Sequence, residues 1–167
     1  MSLPSWPDDG ERYVPSYTQS ILTIFVTGFS CAYQKYLQNV WNLPFNGISV
    51  AMGGITVDQI VTDPGLRKLA DIVMDETIAA CNADLAKIGQ EEFFLGDDDK
   101  KKMFALSDGM GPYRTSTMID LTNRKPMEVE FLFRKAVQRA NRLGVPVPHL
   151  ETIVYQIEAF QRSYNLF

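Results

Sequence analysis

Two cysteines and a single histidine in 167 residues leave this chain little with which to build a metal centre or a disulfide framework. Cys31 and Cys81 lie far apart, outside any CxxC or Cys/His grouping, and read as buried small hydrophobes in a reducing, cytoplasmic setting. A basic excess is missing too. With 16 Lys and Arg against 20 Asp and Glu, the net charge is -4, so no basic stripe awaits a phosphate backbone and nucleic acid is not expected as a partner. Nor is a membrane, because Ser20 to Ala32 falls short of the roughly 20 apolar residues of a spanning helix. Leu37 to Ile55 has the length but carries three asparagines and a proline. Residues 1–10 are rich in proline and acid and lack the pattern of a signal peptide. The most consequential absence is a Gly-x-Gly-x-x-Gly turn between strand and helix, the usual seat of a dinucleotide pyrophosphate.

What is present is helical periodicity. From Val129 the apolar residues Leu132, Phe133, Ala136, Val137, Ala140 and Leu143 recur at i, i+3, i+4 and i+7, and Gly144 stops the pattern. After Val145-Pro-Val-Pro148 the period resumes through Leu150, Ile153, Val154, Ile157, Phe160 and Tyr164, which predicts an antiparallel helical hairpin. Another long helix is expected from Asp63 as N-cap and Pro64 to Gly89, with Leu66, Leu69, Val73, Thr77, Ala80 and Ile88 inward. The segment from Tyr33 to Gly53 reads as a helix interrupted at Pro44, whose ring removes a donor and crowds the carbonyl of Val40. Tyr17 to Gly28 fits a helix or a buried strand equally, being short and almost continuously apolar. Asp97-Asp98-Asp99-Lys100-Lys101-Lys102 places acids before bases, as the start of an exposed helix favours. Phe93, Phe94, Phe131, Phe133, Tyr155 and Phe160 are assigned to the core, and His149 to a surface or capping role. The fold class is all-α, in one domain spanning 33–167 after an N-terminal segment 1–32.

Chemistry concentrates in two places. Gln38, Asn42 and Asn46 are spaced i, i+4, i+8 and present three amides on one helix face, which suits either an oxygen-rich small molecule or the backbone freed by Pro44. Ser116 and Asp120 form a second i, i+4 pair, with Glu128 opening the helix after Pro126.

Asn42-Leu-Pro-Phe-Asn46-Gly47, then Ser116-x-x-x-Asp120 with Glu128, then Gly144-Val-Pro-Val-Pro148, together resemble the C-terminal domain of the ketopantoate (2-dehydropantoate 2-) reductase family over Leu37 to Tyr164. The resemblance implies a helical bundle of the 6-phosphogluconate dehydrogenase C-terminal type. It also implies a partner Rossmann domain for NADPH, in cis or in trans, that this chain lacks. The implied reaction is reduction of a small 2-oxo acid, ketopantoate to pantoate, in pantothenate biosynthesis. By position, Asn42, Asn46, Ser116 and Asp120 fall on substrate contacts, and Glu128 on the active-site glutamate.

One departure matters. The family's lysine stands four residues before the first asparagine in a Trp-x-Lys context, and those positions are Gln38 and Tyr36. Glutamine supplies no positive charge. Either Lys35, two turns and about 10 Å before Asn42, takes that role, or a few residues carrying the lysine are absent. Without a nucleotide site the chain is expected to be inactive alone, whether as a fragment or as a stand-alone descendant. The alternative is a helical interaction or oligomerisation module without catalysis, and self-association through the uncovered cleft face is expected of either.

Overall fold

A computed structural model describes residues 31–166, and the side chains from Tyr33 onward. The expectations for Tyr17–Gly28 and for the Cys31 side chain lie outside them. Among the described residues there is no strand: the all-α class holds. The helices are α1 (Cys31–Ala51), α2 (Val57–Thr62), α3 (Pro64–Lys87), α4 (Asp97–Asp108), α5 (Ser116–Thr122), α6 (Lys135–Arg142) and α7 (Pro148–Ser163). A short 3-10 turn, Glu91–Phe93, follows α3, and a π-helical segment, Val129–Arg134, leads directly into α6.

Helix α1 is the axle of the bundle, packing against α2, α3, α4, α5, α7 and the π segment. Every residue from Trp41 to Val50 is buried. The expected interruption at Pro44 does not occur, for α1 runs unbroken through it. Leu43, Phe45 and Ile48 are fully enclosed on either side of the proline, so tertiary packing outweighs the missing donor. Gly47 permits the closest approach: a Cβ there would lie 2.8 Å from Ile153 Cγ2 of α7.

Helix α3 starts as its sequence requires, with the Asp63 carboxylate accepting from the Leu66 N–H at 2.8 Å and Pro64 in the first turn. Its buried stripe is Ala70, Val73, Met74, Thr77, Ala80, Cys81, Asp84 and Leu85. Ile88, expected in the core, is instead 53% exposed. It stands at the C-cap beyond the last full turn, where the stripe has already ended at Leu85.

The run of acids and bases does begin a helix, α4, with Asp97 and Asp98 exposed. Asp99 differs: it turns inward, accepting from the Gly96 N–H at 3.0 Å and the Tyr33 hydroxyl at 2.8 Å. Burial and this carboxylate push the Tyr33 phenol up to about 12. The Trp41 indole donates to Ser107 at 2.9 Å, fixing α1 against α4.

The helix predicted from Val129 forms, but its first six residues wind as a π-helix. The wider turn keeps Val129, Leu132 and Phe133 inside while Phe131 is exposed, with Lys135 Nζ 4.6 Å from its ring. Phe94 and Tyr155 are likewise exposed, so of the aromatics assigned to the core only Phe133 is fully enclosed. The late α7 residue Gln161 donates to the Met127 carbonyl at 3.3 Å, and Arg134 meets Glu158 at 2.5 Å, which makes the hairpin antiparallel. His149 is exposed at the start of α7. There the Glu76 carboxylate of α3 caps α7, accepting from the His149 and Leu150 N–H groups at 3.1 and 2.9 Å.

Candidate functional site

The amide face of α1 looks onto the start of α5. Thr115 caps α5, its hydroxyl accepting from the Met118 N–H at 3.4 Å, and the Ser49–Gly54 turn at the end of α1 holds α5 close. Gly54 adopts φ +99, and a Cβ there would stand 3.3 Å from Thr122 Cγ2. This brings Asn46, 1% exposed, against α5. Asn46 Oδ1 accepts from the Thr117 N–H at 3.3 Å and the Ser116 hydroxyl at 3.4 Å, while Asn46 Nδ2 donates to Asn42 Oδ1 at 3.4 Å.

These bonds orient both asparagines. A backbone N–H is a donor that cannot flip, so it fixes the carbonyl end of Asn46. The amino end of Asn46 must then face the carbonyl of Asn42, and the amino end of Asn42 is turned away as a buried donor with no hydrogen bond. Nor is it alone. Gln38 Nε2, both amide atoms of Asn39 and Thr117 Oγ1 are also buried without a hydrogen-bond partner. The alternative use for the amide row, satisfying the backbone around Pro44, is not what Asn42 and Asn46 do, since their side-chain bonds run to each other and to α5.

Asn46 therefore links Asn42 of its own helix to Ser116 of α5. Asp120 sits one turn beyond Ser116 on α5, partly buried, and desolvation raises its carboxyl above the ordinary value of 3.8. Glu128 stands just before the π-helical segment, half-buried, and its side chain does not cap that segment. π turns recur next to functional residues because the wide turn re-aims the chain. Lys35 is half-buried near the start of α1 and forms no ion pair among the described residues. Two further buried polar residues with unpaired atoms, Asn39 and Thr117, went unnoticed in the sequence. Both were accessible to it: Asn39 is i-3 from Asn42 and i+4 from Lys35, and Thr117 adjoins Ser116.

A neighbouring side of α1 is closed. Asp84 of α3, 2% exposed, accepts from the Tyr36 hydroxyl at 2.8 Å and from Arg139 Nε and Nη2 of α6 at 2.9 and 2.5 Å. Burial first, and the Asp84 carboxylate second, push the Tyr36 phenol far upward. Among the described residues no group of three or more His, Cys, Asp or Glu is arranged to hold a metal ion. None of the described helices is long and apolar enough to cross a membrane.

Comparison with known proteins bears on this arrangement. The family described as ketopantoate reductase PanE/ApbA C terminal matches residues 32–161. A 2-dehydropantoate 2-reductase of Nostoc sp. (strain PCC 7120) is 30% identical over 124 residues, covering 74% of this chain and 36% of its own length. The crystal structure of 2-dehydropantoate 2-reductase from Geobacter metallireducens GS-15 superposes with a TM-score of 0.70 at 29% identity, over 77% of this chain and 40% of that one. A dimeric ketopantoate reductase from Staphylococcus aureus, 21% identical, shares the fold at a TM-score of 0.68 over 90% of this chain and 53% of its own. The chain thus spans between a third and about half of the relatives it matches.

Proposed function

The chain belongs to the ketopantoate reductase family, matching its C-terminal domain, and on that premise we propose that the amide face of α1 binds a small 2-oxo or 2-hydroxy acid, 2-dehydropantoate or a close relative. One observation carries the reading: the unpaired amide nitrogens of Gln38 and Asn42 are buried donors on one face, beside the Asn46–Ser116 contact. Buried polar groups left without partners are costly, and donors that lack acceptors fit the carboxylate and keto oxygens of such an acid. Asn42, Asn46 and Ser116 would bind it. Asp120 and Glu128 would flank it, Glu128 supporting catalysis. Lys35 falls on nearly this face by helical period, and with Gln38 in the lysine's place it would supply positive charge to the developing oxyanion, unless residues carrying the family's lysine are absent here.

Family membership implies NADPH. The described residues do not fit its pyrophosphate, having no glycine-rich strand-to-helix turn. The cofactor would fall to a nucleotide-binding domain in cis or in trans, and reduction would need that domain. A rival reading, a helical interaction or oligomerisation module, is favoured by the neutral Gln38. Exposed Met52, Tyr113 and Ile119 also give the chain apolar surface for self-association.

The test is a calorimetric titration with pantoate. Binding is expected, weakened about tenfold or more in Asn46→Ala, the loss of one well-placed hydrogen-bonding group in a dry site. A wild-type chain giving no heat at millimolar pantoate would shift the reading to the module.

A further inference from the structure

Helix α5 ends in a turn of a particular kind. The Lys125 N–H donates to the Asp120 carbonyl at 2.9 Å and the Arg124 N–H to the Leu121 carbonyl at 3.1 Å, the paired bonds of a Schellman turn, whose left-handed residue is usually glycine. Here that residue is Arg124, at φ +56. A residue with a Cβ stays in that conformation only where its surroundings hold it. What holds it comes from the end of α7. The Arg124 guanidinium lies over the Tyr164 ring, with Cζ 3.8 Å from the ring centroid. Tyr164 is in turn stacked on Phe160, the centroids 6.0 Å apart, and Leu166, 4% exposed, anchors the chain just beyond it. Three residues after Arg124, the Met127 carbonyl accepts from Gln161 Nε2 at 3.3 Å. The loop from Asn123 to Glu128 is therefore tied at two points, both to the last turn of α7 and its cap.

We propose that the end of α7 is a strap on this loop, with Tyr164 and Gln161 as positioning residues that act on the acid-binding face through Glu128. The inference rests on the proposed function, which puts Glu128 beside the bound acid, and deepens it. Glu128 directly follows Met127, and its side chain does not cap the helical segment that begins at Val129, so the strapped loop sets where its backbone stands. A loop held only where it joins its helices samples many conformers, and binding must then order it. Tied also at Arg124 and Met127, it presents Glu128 already placed. Glycine at position 124 would make the turn without strain but leave the strap with a single tie. The arginine gives up that ease and gains the second.

The test compares wild type, Tyr164→Leu, Tyr164→Phe and Arg124→Gly by amide hydrogen exchange, urea midpoint and calorimetric titration with pantoate. Tyr164→Leu should speed exchange of the Lys125 N–H about fivefold while the amides of α3 keep their rates. It should also weaken pantoate binding about threefold, the effect of a loop no longer pre-placed. Tyr164→Phe keeps the ring under the guanidinium and should restore both values to within about twofold of wild type. Arg124→Gly breaks the same tie in a turn that glycine suits, and serves if the leucine variant does not fold. It should quicken the loop and weaken pantoate binding with a urea midpoint close to wild type, which a merely structural role would not produce. Wild-type exchange rates in both Tyr164→Leu and Arg124→Gly would overturn the strap. Exchange that quickens equally in α3 would overturn it too, since the whole fold would then have loosened. A quickened loop with unchanged pantoate affinity would overturn the positioning role and leave the proposed function standing. A wild-type chain that binds no pantoate removes the proposed function, and the positioning role falls with it.

Discussion

The two sides of α1 handle buried polar groups in opposite ways. Towards α3 and α6, Tyr36 and Arg139 both donate to Asp84, linking three helices. Towards α5, Asn42, Asn46, Ser116 and Thr117 bond in part and leave Asn42 Nδ2 and Thr117 Oγ1 open, with Gln38 and Asn39 open beside them. The first is what a polar group needs in order to be structural. The second is costly in isolation and becomes favourable when a ligand supplies the partners. The contrast separates structural polarity from binding polarity on one helix.

Breaking the closed side should have the largest effect. Asp84→Asn removes the charge that the Tyr36 hydroxyl and the Arg139 guanidinium share, at a carboxylate 2% exposed beside a guanidinium 22% exposed. Uncompensating a fully buried ion pair costs about 3–5 kcal/mol, and the partial exposure of Arg139 lowers this to about 2–3 kcal/mol. Urea denaturation should show a loss of that size, with pantoate affinity per folded molecule little changed. A loss below about 1 kcal/mol would mean that the closed network is not a structural clamp.

The open side should answer with the reverse pattern. Thr117→Val replaces a buried hydroxyl that has no partner with a methyl of similar size. Stability should stay level or rise by up to about 1 kcal/mol, since only an unsatisfied group is lost. Pantoate binding should weaken if that hydroxyl faces the ligand. Stability falling as in Asp84→Asn would erase the distinction between the two sides.

How far this was readable beforehand depends on whether a signal is local. The helix starts at Asp63 and Pro148 and the stops at Gly89 and Gly144 are short-range chemistry, and each forms where expected. The i, i+4 spacing of Asn42 and Asn46 placed both on one face for the same reason. What stayed hidden needed the third dimension. That Asn46 would turn to α5, that Glu76 would cap α7 from another helix, or that Asp84 would sit between Tyr36 and Arg139 involves partners 48 to 74 residues apart. Pro44 misled because local sterics argue for a break, and only the burial of its surroundings outvotes them. Phe131 misled through the π turn, which no apolar period announces.

The smallest effect should come from Asp120, at the edge of the open side. Burial raises its carboxyl above 3.8, against the pull of Lys125. A carboxyl raised on folding holds its proton more tightly in the native chain, so the native state is favoured at low pH and that advantage is lost as pH climbs through the native value. Asp84 and Asp120 thus differ again: one carboxylate is answered by Arg139 and Tyr36, while the other is partly desolvated. Asp120→Asn should therefore raise neutral-pH stability slightly and flatten the slope of stability against pH just above pH 4, read from urea midpoints. Bound pantoate should steepen that slope in wild type, because a ligand carboxylate nearby disfavours the charged form of Asp120 further. A slope that neither the substitution nor the ligand alters would place Asp120 outside the open side, and would confine the binding face to α1 and the first turn of α5.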